Sequence, residues 1–148
     1  MLPSTTNRVP QNTAESVNEC IRRRSEESVA RCAAGGPAAI ERRLRELDAE
    51  WDLERYVETM APTFTLLGMT LGLTVSRKFF VIPFAVQSFF LQHALQGWCP
   101  PIPVLRRFGV RTEREIDDER TALKAIRGDF RTVRGPGSTG QALAAAER

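Results

Sequence analysis

What the 148-residue sequence lacks narrows the choice first. It has three cysteines, Cys20, Cys32 and Cys99, an odd number with no paired-ligand spacing. That excludes a disulfide framework and argues against a zinc site. There is no Ser/His/Asp set, no glycine-rich phosphate loop and no pair of carboxylates inside an apolar stretch. No catalytic machinery is read, so a non-enzymatic protein without a cofactor or metal is expected. Basic residues exceed acidic ones by 21 to 18, a net charge of +3. That excess is too small to argue for nucleic acid. Residues 1–30 contain no apolar core of a signal peptide, and no internal repeat is present.

What is there is concentrated between Met60 and Trp98. Met60–Ser76 carries no charge, Arg77-Lys78 follows, and Phe79–Trp98 then runs on with only His93 as a titratable group. A membrane-spanning helix needs about 20 mostly apolar residues, with about 17 as the lower limit. The two runs therefore predict a transmembrane hairpin with spans at about 59–76 and 79–98. A soluble helical hairpin is the competing reading. It would need other apolar elements to cover both helices on all sides, and the rest of the chain is too polar to supply them. The fold class expected is an all-α membrane protein: a two-helix transmembrane hairpin with amphipathic flanking helices and disordered termini.

The flanks divide readily. Residues 1–38 are polar, end near Gly35-Gly36-Pro37, and read as disordered with a weak helix around Ala14–Ala33. Residues 39–58 read as one amphipathic juxtamembrane helix, with Ile40, Leu44, Leu47 and Trp51 on a single stripe. Either it lies in the membrane interface, with Trp51 and Tyr56 as headgroup anchors, or it packs on its own chain. Pro62 is expected near the start of the first span, where a missing N–H costs little. Gly68 and Gly72 share a face, which Thr65 and Ser76 extend. Such small-residue stripes let helix backbones approach closely in lipid, either in a homodimer or against the second helix of the same chain.

Gly97-Trp98-Cys99-Pro100-Pro101 ends the second helix, because two successive prolines forbid its continuation. Pro103 opens a short helix over Val104–Phe108, closed by Gly109. Arg106 and Arg107 are expected at the headgroups, with Leu105 and Phe108 dipping in. Thr112-Glu113-Arg114-Glu115 is a capping-box sequence that starts a cytoplasmic helix at 113–128. Residues 129–148, containing Gly135-Pro136-Gly137, read as a disordered tail. Arg42, Arg43, Arg45 and Arg55 precede the hairpin, and Arg106, Arg107, Arg111 and Arg114 follow it, against Arg77 and Lys78 in the turn. That asymmetry predicts both termini in the cytoplasm, with Tyr56 and Trp98 at one interface.

Asp52-Leu53-Glu54-Arg55, the apolar pair, Gly97-Trp98-Cys99-Pro100-Pro101, and Val104-Leu105-Arg106-Arg107-Phe108-Gly109-Val110-Arg111-Thr112 resemble the YgaP-like transmembrane domain family over residues 50–112. The Gly-aromatic-Cys-Pro exit is the most specific part, and Pro101 stands where Leu is common. The resemblance implies a small multi-pass protein of a bacterial inner membrane. The family's best-understood architecture adds a rhodanese sulfurtransferase domain, for which this chain has no room. Two functions are expected on these grounds. One is a membrane anchor or dimerising scaffold. The other is a thiol or persulfide carrier acting through Cys99 with a separate rhodanese-type partner. Cys99 is the candidate reactive thiol, and the alternative role for it is a small apolar residue at a helix stop.

Overall fold

The computed structural model describes residues 7–133 and 138–147. All regular structure among them is helical: α1 (Arg8–Gln11), α2 (Glu15–Gly35), α3 (Pro37–Ala49), α4 (Leu53–Thr74), a 3-10 turn (Arg77–Phe80), α5 (Val81–Gln96), α6 (Ile102–Arg107), α7 (Glu113–Arg127) and α8 (Thr139–Glu147). The chain forms two compact units. One takes Met1–Glu19 and Trp51–Glu113, the other Cys20–Glu50 and Arg114–Arg148.

In the second unit the α3 stripe is a core face. Ile40, Leu44 and Leu47 bury themselves against Ile116 and Leu123 of α7, with Val29 and Cys32 of α2 packed alongside. Each fully buried aliphatic side chain contributes about 1.5–3 kcal/mol. Of the two roles expected for this stripe, packing on its own chain is the one observed. The disorder expected over residues 1–38 is overturned for α1 and α2. The composition of α2 is polar, but Ile21 and Ser28 are buried, and tertiary packing supplies what propensity does not. The expected disorder of 129–148 is likewise overturned at α8, where Ala145 is buried and Lys124 Nζ donates to the Ala146 carbonyl at 2.5 Å. The disorder expected at residues 1–6 and the linker reading of Gly135-Pro136-Gly137 lie outside the described residues.

A charged fork ties α3 to α7. Arg43 Nε donates to Glu119 Oε1 at 2.9 Å and Nη2 to Oε2 at 3.2 Å. The Glu119 side chain is fully buried, and that of Arg43 is 23% exposed. The Glu119 carboxylate pushes the Arg43 pKa further up against the cost of burial.

The first unit is built on the hairpin. Asp52 caps α4, its side chain accepting from Arg55 N at 2.7 Å. Glu50 and Asp52 are extended. The single helix expected over 39–58 is therefore two helices, because Asp52 favours the N-cap over a helix interior. α4 starts earlier than the expected span, so Pro62 falls inside it rather than in its first turn. Its 22 residues extend about 33 Å. The 16 residues of α5 extend about 24 Å, and the 3-10 turn that leads into α5 adds about 8 Å.

The two helices close on the glycines. A Cβ built on Gly68 would lie 2.5 Å from Pro83 Cδ and 2.9 Å from Ile82 Cβ, and one on Gly72 would lie 2.8 Å from the Phe80 ring. The small-residue stripe is thus used within the chain. Thr65 Oγ1 on the same face accepts from Gln87 Nε2 at 2.8 Å.

Two expectations follow. Gly68→Ile overpacks the contact with Pro83 and Ile82 and should destabilise the chain by about 1–3 kcal/mol. Thermal melts in detergent read the loss, and chromatographic size should not change; a switch from dimer to monomer at unchanged stability would return the stripe to a dimer contact. Arg43→Ala leaves the buried Glu119 carboxylate without its fork and should cost about 3 kcal/mol, the low end for a broken buried pair. A loss under about 0.5 kcal/mol in denaturant titrations would match an exposed pair instead.

Candidate functional site

At the open end of the hairpin the chain gathers its one histidine, one of its cysteines and two charged groups. His93 lies in the last turn of α5, Glu54 in the first turn of α4, and Arg8 opens α1. The helices run antiparallel about the Ser76 turn, and near it residues equidistant from Ser76 meet, as Thr65 and Gln87 do. At the open end the pairing is offset, and Glu54 meets His93.

His93 is 3% exposed. Its Nε2 lies 2.6 Å from Glu54 Oε2. An ionised carboxylate only accepts, so Nε2 carries the hydrogen. Glu54 Oε1 is 3.5 Å from Arg8 Nη2, and Arg8 Nη1 donates to the Ala94 carbonyl at 3.0 Å. His93 Nδ1 is buried and makes no hydrogen bond among the described residues. The Cys99 side chain lies within interaction range of the same ring.

Backbone geometry returns Cys99 to this ring. Gly97 ends α5 with φ +70°, the left-handed conformation that glycine adopts without strain. A Cβ there would also meet the Arg8 stem, 2.5 Å from its Cβ. The chain then doubles back through Trp98 and Cys99. Cys99 is 2% exposed and packs with Val9, Leu53 and Ile102. Cys20 is exposed and Cys32 half-buried.

Cys99 also forms part of the wall of a cleft of about 100 Å³ between the helices, open on one side. Val57, Met60 and Phe64 of α4 face Phe89 and Phe90 of α5 across it, with Pro101 at one end. The lining is almost wholly apolar.

The other expected site residues are placed as follows. Trp51 is 39% exposed; its ring lies 5.3 Å from that of Tyr56, with the Arg55 guanidinium 4.5 Å over it. Trp98 is half-buried at the same end of the hairpin as Tyr56. Arg106 corrects an expectation. It is 1% exposed, and donates to the Val110 carbonyl and Asn18 Oδ1 rather than facing headgroups. Phe108, expected to dip in, is 80% exposed. Among the described residues no group of three His, Cys, Asp or Glu could hold a metal ion.

Sequence reading singled out Cys99 but missed Glu54 and Arg8 as its neighbours at one remove. A signal for Glu54 existed. It is a carboxylate at the start of one helix, placed by an antiparallel turn level with the single histidine near the end of the other.

No family model matches the chain, and no curated protein or solved structure matches it either. Arg77–Gln96 is, among the described residues, the one helical segment long and apolar enough to cross a membrane, and only 11% of it is buried in the protein.

Proposed function

We propose that the chain is a small integral membrane protein in which α4 and α5 both cross the bilayer, acting as an anchor or scaffold. The observation that carries this reading is the outward surface of the hairpin. Leu66, Leu73, Val75, Val81, Phe84 and Leu91 are each at least 60% exposed. An apolar surface of that extent marks a contact with lipid or another protein. The uncharged part of α4, residues 59–74, extends about 24 Å, and α5 with the turn about 32 Å, beside a hydrocarbon core of about 30 Å.

α4 is less apolar than α5 because Glu54, Arg55 and Glu58 lie in its first two turns and threonines are spread along the rest. The threonine hydroxyls are spent inside the helix. Thr63, Thr65, Thr70 and Thr74 each donate to the carbonyl four residues back, at 2.7–2.8 Å. Ser88 does the same to Phe84, and Gln87 reaches Thr65. Lipid demands that polar groups be satisfied internally, and these are. The resemblance to the YgaP-like family points the same way, toward a bacterial inner membrane. The excess of basic residues on the flanks supports cytoplasmic termini.

A homodimer through Gly68 and Gly72 is not favoured, since α5 already covers them. A sulfur relay to a rhodanese-type partner is not favoured either. Cys99 is too deeply buried to meet another protein's active site.

The test is extraction. Membranes from cells expressing the full chain are washed with alkaline carbonate, and the protein is expected to stay in the pellet until detergent is added. Its recovery in the carbonate supernatant would reduce the hairpin to a peripheral or soluble element.

A further inference from the structure

We propose that the cleft between α2 and α3 of the second unit binds a phosphomonoester group, held by Arg24, Arg31 and Arg42 with the Ser28 hydroxyl as a further donor. Two independent observations point to it. One is the cleft itself. It has a volume of about 370 Å³ and is lined by charged and small side chains. Small-molecule sites run from about 300 to 1,000 Å³. The other is Ser28. It is 7% exposed and lines the cleft, yet its hydroxyl has no hydrogen-bond partner among the described residues. Ser25, a turn earlier in the same helix, donates instead to the Ile21 carbonyl at 3.3 Å. A buried hydroxyl without a partner is costly, and an acceptor in the cleft removes that cost.

Helix periodicity builds the site. Arg24, Ser28 and Arg31 stand at spacings of four and three, on one face of α2. Ala39, Arg42 and Glu46 stand at spacings of three and four on α3. Ser28, Cys32 and Ala39 are buried or half-buried and small, so they form a floor that leaves space above it. Arg24, Arg31 and Arg42 are exposed and form the rim.

The arginines differ in what holds them. Arg43 also reaches the cleft but is committed to its fork with Glu119. Arg24 makes no ion pair among the described residues. Arg31 is 3.9 Å from Glu27, and Arg42 is 4.0 Å from Glu46, with every one of these side chains more than half exposed. Exposed pairs contribute little, so both guanidiniums are free to turn to a ligand. Three cations around one space repel each other until an anion lies between them. A phosphomonoester brings nearly two negative charges at pH 7 and three acceptor oxygens, and the arginine fork matches its geometry. A carboxylate, with one charge and two oxygens, cannot engage three guanidiniums and a hydroxyl together. Glu27 and Glu46 stay at the rim as acceptors, which favours a hydroxylated carrier of the phosphate over an acidic one.

Soluble esters and lipid headgroups both offer this group, and the experiment separates them. The purified full chain in detergent micelles is titrated with glycerol 3-phosphate by calorimetry, at an ionic strength of about 0.15 M so that long-range attraction is screened. The cleft lies wholly in the second unit, so the result does not depend on whether the hairpin spans a bilayer. Saturable one-to-one binding is expected, with none for glycerol. Arg24→Gln, Arg31→Gln and Arg42→Gln should each weaken it by about tenfold or more, the usual effect of losing a charged hydrogen bond. Arg23→Gln makes the same charge change on α2 outside the cleft and should leave the affinity at the wild-type value. Ser28→Ala should weaken binding by about tenfold without lowering the melting temperature, because the hydroxyl has no partner to lose. The titration is repeated in micelles doped with phosphatidic acid, against phosphatidylcholine. Loss of the glycerol 3-phosphate heat assigns the site to a lipid phosphomonoester, and an unchanged heat assigns it to a soluble one. No saturable binding, equal affinity for succinate, equal losses in Arg23→Gln and Arg24→Gln, or wild-type affinity in Ser28→Ala would each overturn the proposal.

Discussion

The close approach of α4 to α5 is the contact on which the rest of the hairpin unit depends. Gly68 and Gly72 bring the α4 backbone against Pro83, Ile82 and Phe80, nearer than any larger residue would permit. That distance, together with the four-residue turn at Arg77–Phe80, sets the register. Register in turn carries Glu54 to His93, many residues from the glycines. A side chain at Gly68 would not touch the polar end of the hairpin, yet it would change the separation at which Glu54 and His93 meet.

The two ends of the hairpin are built differently for a physical reason. Toward the turn, packing is dry and small, and the hydroxyls fold back onto their own helix. At the open end, charge has accumulated: Arg8, Glu54 and His93 are linked in sequence from α1 through α4 to α5. A buried imidazole and a partly buried carboxylate are costly alone. Each is made tolerable by the other, and Arg8 completes the set.

The second unit solves a more ordinary problem. Its helices are strongly polar, and the apolar stripe of each is thin. Ile40, Leu44, Leu47, Ile116 and Leu123 make one shared core, and the Arg43–Glu119 fork fixes how α3 meets α7. No single helix there would persist on its own propensity. α2 is the clearest case, because its composition argues for disorder and its packing overrides that.

Composition and periodicity alone determined that the protein is helical, where the apolar hairpin lies, that α5 cannot run on past Gly97-Trp98-Cys99-Pro100-Pro101, and that Ile40, Leu44 and Leu47 share a face. These are local properties: a run of uncharged residues, a missing N–H, a spacing of three or four. The order of α2 and α8 was not legible, because it comes from residues distant in sequence packing onto them. Nor was the break at Asp52, since a cap competes with a continuing helix and the periodic stripe ran straight through it. The site shows the same division. Cys99 stood out in the sequence by its Gly-aromatic-Cys-Pro setting, and His93 by being the single histidine. Only the tertiary structure joined them to Glu54 and Arg8 and made Cys99 part of an apolar wall, because proximity across an antiparallel turn depends on helix separation and register, which no residue encodes by itself.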